Sequence, residues 1–117
     1  MTNKDDHLTK VILDALDDAK AQDIVTLNVK RLTTIADTMI IASGTSTRHV
    51  KSIANSVREA AKAAINRPVK MEGENVSEWI LVDAGDVIVH IMVPQTREFY
   101  ELEKLWDIRP PQKSKSE

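Results

Sequence analysis

An α+β fold is predicted: a single domain on a mixed sheet, with elements in the order αββαβββα and helices packed mainly on one face. Three observations predict it. Long stretches near each end of the first half carry apolar residues three and four apart, as an amphipathic helix does. Five shorter runs are β-prone, and turn residues separate them. The order contains one long helical crossover and two hairpins, which together give a sheet with parallel and antiparallel neighbours. With 117 residues and 42% apolar content, the chain is sized for one core. Residues 1–109 are expected to form that domain and 110–117 a disordered tail.

The first helix is predicted from Asp5 to Ala21, where Leu8, Val11, Ile12, Ala15, Leu16 and Ala19 share a stripe and charges fill the other side. Ile24 to Val29 alternates, with Val25, Leu27 and Val29 on its apolar side. Thr38 to Ala42 is apolar on both faces and reads as a buried strand. Ser43-Gly44-Thr45-Ser46 breaks it, and Val50, Ile53, Ala54, Val57, Ala61, Ala64 and Ile65 set a second helix that Asn66 and Pro68 end. A weaker strand follows at Val69 to Glu72. Trp79 to Val82 and Val87 to Val93 are strongly β-prone, and Asp83-Ala84-Gly85-Asp86 joins them as a tight hairpin whose glycine supplies a positive φ. Pro94 opens a last helix, which Pro110 and Pro111 close.

The final strand raises a question of layering. Ile88, His90 and Met92 lie on one of its faces, and Val87, Val89, Ile91 and Val93 on the other, so both are apolar. Either the strand is sandwiched inside the monomer, or its second face forms an interface with another chain.

Composition removes several chemistries. Without cysteine there are no disulfides, thiolate zinc sites or thiol nucleophiles. A net charge of −2 does not suit broad contact with a polyanion, so little direct nucleic-acid contact is expected. No apolar run approaches a membrane span, and the N-terminus has neither a secretory signal nor a transit-peptide composition. A soluble cytoplasmic protein is expected.

Four features could carry chemistry. Ser43 to His49 sits between strand and helix, where backbone amides can hold phosphate, but it lacks P-loop and dinucleotide spacing; an ordinary Ser or Thr N-cap is preferred. Asp83 and Asp86 could pair on a metal, as in nucleotidyl transfer, but residues that bracket a turn are better explained as turn formers. His7, His49 and His90 have no metal-ligand spacing. His90, inside an apolar strand, suits a structural or binding role better than a catalytic one. In the last helix, projection puts Phe99, Leu102 and Trp106 on one face and Arg97, Tyr100 and Lys104 on the other, which predicts an exposed Tyr100 beside cations. Trp79 is either core or anchor.

The run Trp79 to His90, followed by Arg97 to Trp106, closely resembles the Iojap or ribosomal silencing factor family. Asp37 to Ser43 and Gly44 to Val50 resemble the same family's first block. The resemblance spans most of Ile24 to Asp107; Ser77 and Ala84 stand where many relatives carry Gly and Leu. It implies a non-enzymatic translational repressor, without cofactor or metal, that binds the large ribosomal subunit through ribosomal protein number fourteen and blocks joining of the small subunit. It also implies a homodimer and a nucleotidyltransferase-like architecture. The partner-facing set it suggests, together with the exposure argument, is Trp79, His90, Arg97, Tyr100, Glu103 and Lys104. The alternative is a nucleotide-binding or nucleotidyltransferase-like enzyme, using Ser43 to Thr47 for phosphate and Asp83 and Asp86 for magnesium.

Overall fold

The computed structural model describes residues 4–101. In chain order the elements are α1 (Lys4–Asp18), β1 (Gln22–Asn28), β2 (Thr38–Ser43), α2 (Thr47–Ile65), β3 (Lys70–Glu72), β4 (Trp79–Asp83), β5 (Val87–Met92) and α3 (Pro94–Tyr100). This is the predicted order. The expected tail at 110–117 lies outside the described residues, as do Glu103 and Lys104.

The five strands make one mixed sheet in the order β1-β2-β5-β4-β3. Only β2 and β5 run parallel; β1–β2, β3–β4 and β4–β5 are antiparallel. After β2 the chain crosses over through α2 to the far edge and returns through β3 and β4, so that β5 lies beside β2 at the centre. Every residue of β5 is buried, which answers the question of layering: the strand is flanked on both edges and covered on both faces within the monomer.

Local sequence sets the ends of these elements. Ser46 caps α2 by accepting a hydrogen bond from the backbone N–H of His49 at 3.1 Å, and Asn66 ends it in the left-handed region at φ 55°. The β4–β5 hairpin turns on Gly85 at φ +89°, while Ala84 N–H donates to the Val87 carbonyl at 3.0 Å. A glycine at the first central position suits a primed turn, whose twist matches the strands. Asp83 Oδ1 accepts from Gly85 N–H at 2.9 Å, which is the turn-forming role expected of that residue. At Gly44 the reason for glycine is space. A Cβ there would lie 2.8 Å from Val50 Cγ2 and 2.9 Å from Val50 N, so β2 could not pass this closely into α2.

Alternation along the strands sorts the core into two layers. Ile40, Ala42, Ile80, Val82, Val87, Val89 and Ile91 pack with Leu8, Ile12 and Leu16 of α1 and with Val50, Ile53, Ala54, Val57 and Ala61 of α2. Met39, Ile41 and Met92 form a second cluster with Val29 on the opposite face, against which Leu27 and Trp79 pack. The alternation of β1 is thus resolved: Ile24 turns to the helices, while Leu27 and Val29 turn away from them.

The last helix departs from expectation. α3 ends at Tyr100, where Glu101 takes φ 48° and its N–H bonds the Arg97 carbonyl. The predicted helix is therefore interrupted at Glu101, and Leu102, Lys104 and Trp106 of the projection lie outside the described residues. Phe99, expected on the covered side, is 78% exposed, and Arg97, expected beside Tyr100 in solvent, is 9% exposed. In a helix of two turns, where the chain enters from β5 decides orientation, and a stripe of apolar residues beyond its end does not.

Candidate functional site

The second sheet face ends in an aromatic stack. Trp79 opens β4 opposite Met92 of β5, so its indole leans diagonally over His90, two residues away on the same face. Its Nε1–H donates to His90 Nδ1 at 2.9 Å, and the ring centroids are 5.8 Å apart. Because the indole nitrogen can only donate, His90 Nδ1 carries no proton and the neutral ring holds its hydrogen on Nε2. Burial acts in the same direction, lowering the His90 pKa from 6.5 to about 4.

Tyr100 also packs on Trp79, with ring centroids 4.9 Å apart at 51°. Phe99 meets Tyr100 edge-on, also at 4.9 Å. Both are favoured geometries for aromatic pairs. The row therefore runs from a buried imidazole, through a half-buried indole, to a Tyr 55% exposed and a Phe 78% exposed.

Arg97 sets where that row lies. Its guanidinium donates from Nη1 to Ser43 Oγ at 2.9 Å, a buried bond that ties α3 to the end of β2. Ser43 faces the same side as Met92, its partner across the parallel pair. Val93 N–H also donates to the Glu78 carbonyl at 3.0 Å, joining the entry of α3 to the residue before Trp79. The loop ahead of β4 is equally constrained. A Cβ at Gly73 would collide with the Trp79 carbonyl oxygen, and Ser77 is held at φ 66° while its Oγ donates to the Glu74 carbonyl at 2.8 Å. A residue in that region costs roughly 1–2 kcal/mol unless it is glycine.

Of the six residues singled out in the sequence, four converge here. Tyr100 is exposed as predicted and Trp79 is half-buried, part core and part surface. His90 and Arg97 are buried, at 7% and 9%, so they face the protein interior and support the surface from beneath. Sequence reasoning placed Ser43 in a candidate phosphate loop, noted Ser77 only as a departure from relatives, and missed the exposure of Phe99. A signal existed for Ser43, since alternation through Met39 and Ile41 places it on the second face.

Of the residues of the enzyme alternative, Thr45, Ser46 and Asp83 have local partners. Thr45 N–H donates to His49 Nδ1 at 2.9 Å and His49 N–H to Ser46 Oγ, so two amides that a phosphate would need already have partners. His49 Nε2 lies 2.9 Å from the Ala19 carbonyl, pinning the start of α2 to the end of α1. The carbonyl of Asp86 accepts from the amides of Asp37 and Thr38, at 2.9 and 3.1 Å. Among the described residues no helix is long and apolar enough to cross a membrane.

Comparison with known proteins gives a consistent result. The family model described as ribosomal silencing factor during starvation matches residues 2–117. A ribosomal silencing factor of Chromobacterium violaceum is 44% identical over 105 residues, covering 90% of this chain and 86% of the relative. The mouse mitochondrial assembly of ribosomal large subunit protein 1 is 36% identical, over 85% of this chain and 45% of that protein. A crystal structure of a Chromobacterium violaceum protein superposes with a TM-score of 0.83 at 42% identity, covering 91% of this chain and 88% of the other.

Proposed function

This chain belongs to the family of ribosomal silencing factors, and on that premise we propose that it binds the large ribosomal subunit through ribosomal protein number fourteen and sterically blocks joining of the small subunit. It acts in the cytoplasm, as a homodimer when free, and no chemical step is involved. The observation that carries this reading is the row Trp79, Tyr100 and Phe99, an aromatic surface held rigid from below at the end of one sheet face. Aromatic side chains with few rotatable bonds lose little entropy on docking and dominate the energetics of protein interfaces. The name of the mouse relative, which refers to assembly of the large subunit, supports a partner of this kind.

Steric occlusion requires only that a domain of this size occupy the joining face. An interface of about 800 Å² per partner, anchored by two or three aromatics, is enough for a specific complex. The test is sedimentation of separated subunits through a sucrose gradient with the purified protein, followed by a subunit-joining assay. Co-migration with the large subunit and reduced joining are expected. Absence from the large-subunit fraction would overturn the proposal.

A further inference from the structure

The two polar side chains beneath the aromatic row differ in what they hold. Arg97 fixes a helix to a strand, whereas His90 fixes the orientation of a single ring. Turned by 180° about its Cβ–Cγ bond, the Trp79 indole would put its benzo edge where Nε1 lies, so only one of the two orientations brings Nε1–H to His90 Nδ1 at 2.9 Å. That orientation turns the indole N–H toward the buried His90 and fixes the ring against which the exposed Tyr100 packs, with centroids 4.9 Å apart.

From this we infer that His90 is a positioning residue for docking: its Nδ1 selects the orientation of the Trp79 indole on which Tyr100 stacks, and hence the surface presented to a partner. The inference rests on the docking function proposed above. His90 touches no partner itself, being 7% exposed. It also needs no charge, because an acceptor at the Nδ1 position is the whole requirement. Asparagine can supply that acceptor through Oδ1, at about the same distance from the backbone. Leucine and phenylalanine fill the space and cannot.

The experiment uses the full chain with Trp106→Phe, so that Trp79 supplies the only indole, and compares His90→Leu, His90→Phe and His90→Asn. Two apolar variants are made so that a folding failure of one leaves the other to decide, with thermal unfolding as the control. Nitrogen–proton NMR of the indole N–H reports orientation independently of any ribosome, and co-sedimentation with large subunits reports docking. In the apolar variants the indole resonance is expected to shift and exchange faster with solvent, and affinity to fall about tenfold, equivalent to about 1.4 kcal/mol. His90→Asn is expected to restore both.

An indole resonance unchanged in the apolar variants would overturn the positioning role. A shifted resonance with unchanged affinity would overturn the claim that a partner reads this orientation. Failure of the His90-containing parent to bind large subunits at all would instead overturn the docking function, and the resonance would still decide whether His90 sets the ring.

Discussion

The two faces of the sheet are built on different principles. Beneath α1 and α2 the layer is aliphatic: Ile40, Ile80, Val82, Val89 and Ile91 are fully buried against the Ile, Leu, Val and Ala residues of the helices. On the other face, Met39, Ile41 and Met92 are bordered by Trp79, His90, Ser43 and Arg97, linked by two directional hydrogen bonds. Aliphatic burial is strong and undirected, so the first face supplies stability. Hydrogen bonds between buried polar groups add less net energy but require one geometry. The second face thus gives up some stability for a defined surface, which is what a docking site needs and a structural layer does not.

The largest loss of stability is expected from the aliphatic face. Ile91→Ala is expected to cost about 2–5 kcal/mol, through lost burial and the cavity left behind, and should appear in denaturant unfolding with little change in slope. A cost below about 1 kcal/mol would mean that the layer collapses around the gap.

Next is the acid response of the second face. The His90 pKa is about 4 in the folded protein and 6.5 when exposed, so between these values the unfolded chain takes the proton first. The contribution of the neutral ring is complete above about pH 6.5 and is lost as the pH falls toward 4, by about 3 kcal/mol in total. His90→Asn should flatten that slope in pH-dependent unfolding, and an identical acid limb in both proteins would remove His90 as its source.

Tyr100→Ala separates stability from binding. Tyr100 is 55% exposed but packs on Trp79 and Phe99, so its loss should change unfolding by about 1 kcal/mol, while affinity for large subunits in co-sedimentation falls by about 2 kcal/mol, roughly thirtyfold. Loss of the thermal transition would place Tyr100 in the core. The smallest effect is expected at Ser77. Ser77→Ala keeps the strained φ of 66° and loses the bond to the Glu74 carbonyl, whereas Ser77→Gly relieves the strain. The Gly variant should be the more stable of the two by about 1 kcal/mol, as read by their melting temperatures.

Much of this molecule was legible residue by residue. Ser46 and Asn66 bound α2 where the N-cap and C-cap rules put them, and Gly85 makes the hairpin. The double apolar pattern around His90 left two readings open, a strand sandwiched inside the monomer or a face buried by another chain, and the burial of every residue of β5 decides for the first. Tyr100 was found, although by projecting a helix that stops there. Arg97 and Phe99 were exchanged between core and solvent because the projection assumed a longer helix packed along its apolar stripe.

By itself the sequence determined the element order, the helix caps, the hairpin turn and the presence of two apolar faces on β5. Each of these follows from interactions within a few residues: periodicity, a side chain capping its own turn, or a backbone angle only glycine adopts cheaply. Only the tertiary structure decided which face the helices cover, that Arg97 reaches across 54 residues to Ser43, and that Trp79, His90 and Tyr100 form one row. Such contacts join distant segments through the register of the sheet. The hairpin turn fixes the β4–β5 register, but the parallel β2–β5 register, which brings Ser43 beside Met92, joins segments that no turn connects and is set by how the apolar faces pack.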